Sequence, residues 1–299
     1  MFRPTSNLDD SALFEKSLEE RLAALTPSVD VTRVDLTPFR RLRAKIDCIT
    51  ISWPFGITSA ELDEMAALMT PRLELPRDPL GSSFITIHDP ELDDFRYLIR
   101  HFPKSQINHL EVAVDAHLPD GSNDVYLLRQ LKSQLRHCIA PQAHGELERA
   151  ERRYFDLTKR RWATDPTVHS APLTTVDYLD RKSGCRLKIY IKSKDHGRSV
   201  SQCFVRTELT LAGVGPARAH VDCVEDLQAF AKRLRRYCAS AFTVGRGFKR
   251  GDPGDERWRK SGASWVLKQG KAVVVQPDAE VNRAFGDALS DLGRSLMRL

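Results

Sequence analysis

The sequence predicts an α+β fold: a central, largely antiparallel β-sheet flanked by helices, with a helical C-terminal part. Three observations predict it. Short strand and helix patterns alternate up to residue 138, three β segments follow close together between 174 and 211, and two amphipathic helical stretches close the chain. Such an order suits one sheet covered by helices.

Length and composition set the frame. With 299 residues and 41% hydrophobic content, the chain can fill an ordinary globular core. No apolar run reaches the roughly 18 residues a membrane span needs, and Met1-Phe2-Arg3-Pro4 lacks the apolar stretch of a secretory signal, which predicts a cytoplasmic protein without membrane contact. The six cysteines stand singly, with no CxxC pair, so reduced thiols are expected. A formal charge of +6 favours a polyanionic partner.

Residues 1–44 read as a lead-in, with a charged helical stretch from Ser11 to Leu25 and a basic tract at Arg40, Arg41, Arg43 and Lys45. Ile46 to Ser52 is β-branched and alternating, hence a strand, and Trp53-Pro54 ends it. Ser59 followed by Glu61 marks a helix start, because a hydroxyl caps free amides and a carboxylate complements the dipole. A short strand from Ser83 to His88 precedes a helix over Pro90 to His101 with Leu92, Phe95, Leu98 and Ile99 on one face. His109 to His117 reads as a strand, and Asn123 to Cys138 as a helix. Residues 141–170 are charged and poorly periodic, which predicts an irregular or weakly helical connection.

Thr174 to Leu179, Arg186 to Lys192 and Cys203 to Leu211 then read as strands. The first two are joined by Asp180-Arg181-Lys182-Ser183-Gly184, a hairpin-like loop with Gly where a positive φ is needed. Val224 to Ala241 is a helix with a basic side, and Glu280 to Leu299 a closing helix. Between them, residues 243–272 are glycine-rich and cationic, with Phe248, Trp258 and Trp265 interspersed, a composition suited to phosphate contact and base stacking. The boundaries so drawn are a lead-in over 1–44, a core over 45–242, and a basic loop with C-terminal helix over 243–299.

Strand periodicity groups the polar residues by face. Glu111 and Asp115 share one face of their strand, Lys188, Tyr190 and Lys192 one face of theirs, and Arg206, Glu208 and Thr210 one face of the third. If the three strands are neighbours, a single surface presents three carboxylates, a phenol and several cations. Carboxylate oxygens are hard ligands for Mg²⁺ or Mn²⁺, and a tyrosine beside them could attack phosphorus, nearby cations favouring the phenolate. The same alternation also describes the solvent face of an ordinary half-exposed sheet.

These blocks resemble those of plasmid rolling-circle replication initiators of the Rep_trans class, and more distantly the gene II replication proteins of filamentous phages. His109-Leu110-Glu111-Val112-Ala113-Val114-Asp115 is similar to the family's R-L-D-x-A-F-D-like strand. Lys188-Ile189-Tyr190-Ile191-Lys192 is similar to its R-x-Y-x-K-like strand, and Val205-Arg206-Thr207-Glu208-Leu209 to its R-x-E strand. Ile46 to Ile51 and Phe84 to Pro90 resemble the two earlier strands, so the likeness spans roughly residues 45 to 240.

The resemblance implies an HUH-nickase-like or RRM-like core that nicks one strand of origin DNA through a covalent 5′-phosphotyrosine. Tyr190 matches the nucleophile and Lys192 its accompanying lysine, while Glu111, Asp115 and Glu208 match acids suited to Mg²⁺ or Mn²⁺. Phosphate contacts are expected from Arg181, Lys182, Arg186, Lys188 and Arg206 near the site, and from Lys249, Arg250, Arg257 and Lys260. The implied partner is plasmid or phage origin DNA, duplex, hairpin or single strand; a host helicase and a homodimer are compatible with it, and the sequence specifies neither. Glu111 stands in place of the usual Asp, and His109 where the family often has Arg. There is no His-hydrophobic-His pair, so histidine metal binding does not carry over, and His88 and His117 remain lone residues at strand ends. Tyr178, one hairpin away, is a rival nucleophile. A non-catalytic DNA-binding regulator and a nuclease without a covalent step are the alternatives.

Overall fold

A computed structural model describes residues 33–39, 41–53, 58–69, 72–74, 84–140, 144–147, 150–156, 161–163, 175–195, 198–246, 258–261, 264–267 and 274–299. The lead-in helix expected over Ser11 to Leu25 lies outside these, as do Lys249, Arg250 and Arg257.

The strands are β1 Arg41–Ser52, β2 Leu73–Glu74, β3 Phe84–His88, β4 Gln106–His117, β5 Glu151–Asp156, β6 Arg161–Ala163, β7 Val176–Asp180, β8 Cys185–Asp195 and β9 Arg198–Ala212. They form one nine-stranded sheet in the order β2-β3-β1-β4-β9-β8-β7-β5-β6, with every described pairing antiparallel. The expected α+β architecture is therefore present. One expectation fails: the charged stretch after residue 141 supplies β5 and β6, which extend the sheet beyond β7. The stretch mixes charges without the alternation by which a strand is recognised in sequence.

The helices are α1 Ser59–Met69, α2 Leu92–His101, α3 Val125–Cys138, the single turn α4 Gly215–Arg218, α5 Leu227–Cys238 and α6 Ala279–Leu296. Helices α3 and α6 each start where an aspartate side chain satisfies free amides. The Asp124 carboxylate accepts from Tyr126 N at 2.9 Å and Leu127 N at 3.2 Å, and Asp278 from Val281 N at 3.3 Å. Their apolar stripes, with Leu128, Leu131 and Leu135 on α3, Phe230 and Leu234 on α5, and Phe285 and Leu289 on α6, join Leu110, Val112, Leu187, Ile189, Leu209 and Leu211 of the sheet in one core. At Gly293 a Cβ would stand 2.8 Å from the Ala231 carbonyl oxygen, so only glycine lets α6 lie this close to α5.

The cationic stretch after residue 243 adds backbone strands rather than a plain loop. β10 Gly245–Arg246, β11 Trp258–Ser261, β12 Ser264–Leu267 and β13 Val274–Pro277 form a four-stranded sheet in the order β10-β13-β12-β11. Lys260 lies on β11 opposite Trp265. Among the described residues, no helix is long and apolar enough to cross a membrane.

Candidate active site on the polar face of the sheet

Strands β4, β9 and β8 are consecutive neighbours, and their register sets the polar side chains side by side. Glu111 pairs with Thr210, Ala113 with Glu208 and Asp115 with Arg206, while Lys188 pairs with Glu208 and Tyr190 with Arg206. Alternation then sends Leu110, Val112, Leu187, Ile189, Leu209 and Leu211 into the core on the opposite side.

Glu208 is the hub. Its Oε2 accepts from the Tyr190 hydroxyl at 2.8 Å, and its Oε1 contacts the Lys188 ammonium. Lys188 Nζ also donates to Glu111 Oε1 at 3.0 Å, and that oxygen lies 3.1 Å from His109 Nε2 and accepts from Thr210 Oγ1 at 3.2 Å. A cation therefore already sits between the two glutamates.

Asp47 completes the acid cluster, and the sequence reading missed it. Simple alternation from Ile46 and from Ile49, both in the core, gives contradictory faces for residue 47. A register break between Ile46, opposite Val112, and Cys48, opposite Glu111, leaves Asp47 as the extra residue of a β-bulge. Bulges re-aim a side chain in this way. Oxygens of Asp47, Glu111 and Glu208 all fall within 4.8 Å of one another. Hard, anionic oxygens so grouped fit Mg²⁺ or Mn²⁺, and the ammonium already seated between two of them shows that the pocket accepts positive charge.

Asp115 does not join this cluster. Both of its oxygens are held by Arg206, from Nε and from Nη2, each at 2.7 Å. Arg206 has no exposed side-chain surface, and its Nη1 lies 2.5 Å from Asp47 Oδ1 as an ion pair that lacks hydrogen-bond geometry. Two expectations are thereby corrected. Arg206 is an internal counterion that DNA cannot reach, and the Asp115 carboxylate is spent on it.

The protonation pattern follows from burial and these partners. Burial pushes Glu208 up, with the neighbouring Glu111 charge adding to it, against the pull of Lys188. Burial also works against Glu111, yet the His109 hydrogen bond and the Lys188 charge outweigh it and hold that carboxyl well below the usual range. Two glutamates side by side are thus driven in opposite directions, the pattern that separates proton acceptor from permanent anion. Tyr190 is raised far above an ordinary phenol, first by burial and next by the Glu208 charge, with Arg206 opposing. The expectation of a cation-favoured phenolate gains no support here: burial and the hydrogen bond donated to Glu208 both favour the neutral phenol.

The remaining predicted residues divide. Lys192 follows Tyr190 on the same face, its side chain 11% exposed and its Nζ 3.7 Å from Asp47 Oδ1. Lys45 also faces Asp47, at 3.1 Å, and contacts Asp89, a residue held at φ 46° with its amide bonded to the Asp47 carbonyl. Lys188 is committed to the glutamates, and Arg186 to the fully buried Asp177 through a 2.7 Å bond. Arg181 and Lys182 are exposed at the β7–β8 turn, roughly 17 Å along the strand from Tyr190. Tyr178, opposite Leu187, belongs to the core face, and its hydroxyl donates to the Arg136 carbonyl at 3.3 Å. It cannot reach the acids from there. His88 pairs with Glu74 at 2.9 Å and His117 packs on Phe204 with ring centroids 4.5 Å apart, so neither stands in the acid cluster.

No protein-family model matches this chain, and no curated protein matches it. Among solved structures, it is similar to the rolling circle replication initiator protein from Geobacillus stearothermophilus, with 13% sequence identity and a TM-score of 0.39, over 84% of this chain and 97% of that one.

Proposed function

We propose that this chain is a rolling-circle replication initiator of a plasmid or phage, which nicks one strand of origin DNA and carries the cut end on Tyr190. The observation that carries this reading is the 2.8 Å hydrogen bond from the Tyr190 hydroxyl to Glu208, a carboxylate that burial makes more basic than usual. A phenol is a poor nucleophile until it loses its proton, and an adjacent base is the standard means of activation.

In the proposed step the Tyr190 oxygen attacks phosphorus while its proton passes to Glu208 Oε2. The P–O3′ bond breaks, the departing 3′ oxygen takes up a proton, and the 5′ phosphate remains esterified to tyrosine. Asp47, Glu111 and Glu208 would hold Mg²⁺ or Mn²⁺, which would polarise the phosphodiester and neutralise its developing charge. Lys192 lies two residues from Tyr190 on the same face and would bind the scissile phosphate. The exposed Arg181 and Lys182 supply further backbone contacts.

The test is covalent capture. Wild-type chain, Mn²⁺ and a 3′-labelled pool of random single-stranded oligonucleotides should yield a labelled adduct that survives denaturation, mapping to the Tyr190 peptide. Tyr190→Phe should give none. An undiminished adduct in that variant, or one mapping to Tyr178, refutes the assignment. Cleavage without adduct, kept by Tyr190→Phe and lost in Glu111→Ala, would instead identify metal-dependent hydrolysis.

A further inference from the structure

Beside the all-oxygen cluster lies a second group of ligating atoms with different chemistry. Cys48 Sγ, His109 Nε2 and a Glu111 carboxylate oxygen also fall within 4.8 Å of one another. Cys48 is directly opposite Glu111 across the β1–β4 ladder, and His109 precedes Glu111 by two residues, so period two puts all three on one face. They belong to adjacent rungs of a rigid sheet rather than to loops. The bulge at Asp47 is what brings Cys48 to this face, since it resets the alternation of β1 one residue before the cysteine.

Sulfur, imidazole nitrogen and a carboxylate form a donor set that Mg²⁺ disfavours and Zn²⁺ or Co²⁺ prefers. The three protein ligands leave a fourth tetrahedral position for water. His109, 30% exposed, opens the group to solvent. We infer that Cys48, His109 and Glu111 form a site for a thiophilic divalent cation of the Zn²⁺ class, and that it shares Glu111 with the acid cluster. Binding replaces the Cys48 S–H by a metal–sulfur bond and releases that proton to water; no oxidation occurs. The His109 nitrogen that faces Glu111 gives its lone pair to the ion, its ring hydrogen residing on the other nitrogen.

Sharing one carboxylate has a consequence, which rests on the nickase reading. A Zn²⁺ drawing Glu111 toward Cys48 takes an oxygen from the group that would hold Mg²⁺ or Mn²⁺, and so antagonises nicking. The site itself does not depend on that reading, and its test needs no DNA.

Titration of the reduced, full-length chain with Co²⁺ provides the test. A near-ultraviolet thiolate-to-cobalt absorption band should grow to one equivalent and vanish in Cys48→Ser, whereas Glu208→Gln should retain it. His109→Gln, which leaves the thiol in place, should weaken Co²⁺ binding at least about tenfold, because even supporting groups of metal sites contribute that much. Absence of the band from wild type, or its persistence in folded Cys48→Ser, overturns the site. Should Cys48→Ser fail to fold, unchanged affinity in His109→Gln does so equally. As a second arm, Zn²⁺ should suppress Mn²⁺-supported adduct formation in wild type and not in Cys48→Ser; equal suppression in both removes the antagonism. A chain that shows the cobalt band yet forms no DNA adduct keeps this site and loses the nickase reading.

Discussion

Replacing Arg206 by Met tests whether this residue is an internal counterion or a contact for DNA. The guanidinium is fully buried, makes two 2.7 Å bonds to Asp115, faces Asp47 at 2.5 Å and lies 5.3 Å from the Phe204 ring centroid. Met approximates its volume, so the main loss is electrostatic: Asp115, 4% exposed, keeps a charge with no partner of equal quality. Breaking a buried pair from one side costs about 3 to 5 kcal/mol. At roughly 2 to 3 °C per kcal/mol for a chain of this size, the melting temperature should fall by about 6 to 15 °C. Removing both members, as in Asp115→Leu with Arg206→Met, leaves no unpaired charge at that position and should recover most of the loss. Thermal and urea unfolding followed by circular dichroism would measure all three variants. A single variant that melts within about 2 °C of wild type refutes the reasoning, as does a double variant less stable than the single.

Three further outcomes are expected. Glu208→Gln keeps an acceptor for the Tyr190 hydroxyl but removes the proton acceptor, so adduct yield should drop by about 10² or more while the melting temperature changes little by comparison; a drop of under threefold in capture assays would count against Glu208 as base. Lys132, on α3, is 7% exposed, and burial pulls its ammonium down from 10.5 to about 7, with the Arg136 and Arg129 charges adding to the effect. Because the folded value is the lower one, the charged form opposes folding: the penalty is fully present below pH 7 and fades as pH rises toward 10.5. Lys132→Met should therefore stabilise by about 2 to 4 kcal/mol in urea unfolding at pH 6 and by little near pH 10. Gly184 has φ +70°, and a Cβ there would lie 2.0 Å from the Ala212 carbonyl oxygen, so Gly184→Ala should cost about 2 to 3 kcal/mol in the same assay.

The central sheet was legible because its strands carry their own signal. In His109 to His117 and Leu187 to Lys192 the apolar residues fall on every second position, and a period of two admits only one way to face a core. That periodicity also grouped Glu111, Glu208, Tyr190 and Lys192 before any pairing was known. What it could not supply was what the opposite side chains do to one another. Asp115 and Arg206 look like two more polar residues on exposed faces, and only the register, which sets them directly across from each other, turns them into a closed pair. Asp47 was invisible for the opposite reason. Its face depends on one extra residue in β1, and a bulge has no period to detect. The mixed charges of residues 151–156 and 161–163 show no period of two, so the two strands there had no alternation by which to be read.

The polar face holds its charges in near balance. Asp47, Asp89, Glu111, Asp115 and Glu208 meet Lys45, Lys188, Lys192 and Arg206 at ion-pair distance. Removing five carboxylates from water without such partners would be prohibitive, so the cations are part of what permits the acids to gather at all. They are not equivalent, however. Arg206 is locked by a two-pronged bond and Lys188 is a single ammonium on a flexible stem, able to withdraw from the glutamates without breaking the sheet. A divalent ion arriving between Glu111 and Glu208 must displace that ammonium. Lys188→Met should consequently raise Mn²⁺ affinity if the two cations compete for the same oxygens, and lower it if Lys188 chiefly keeps the carboxylates together. Electron paramagnetic resonance of free Mn²⁺ separates the two. Competition is the expected result, because the Lys188 ammonium contacts both glutamates and so occupies the space between them; a Mn²⁺ affinity that falls in the variant would show that the lysine builds the pocket instead of filling it.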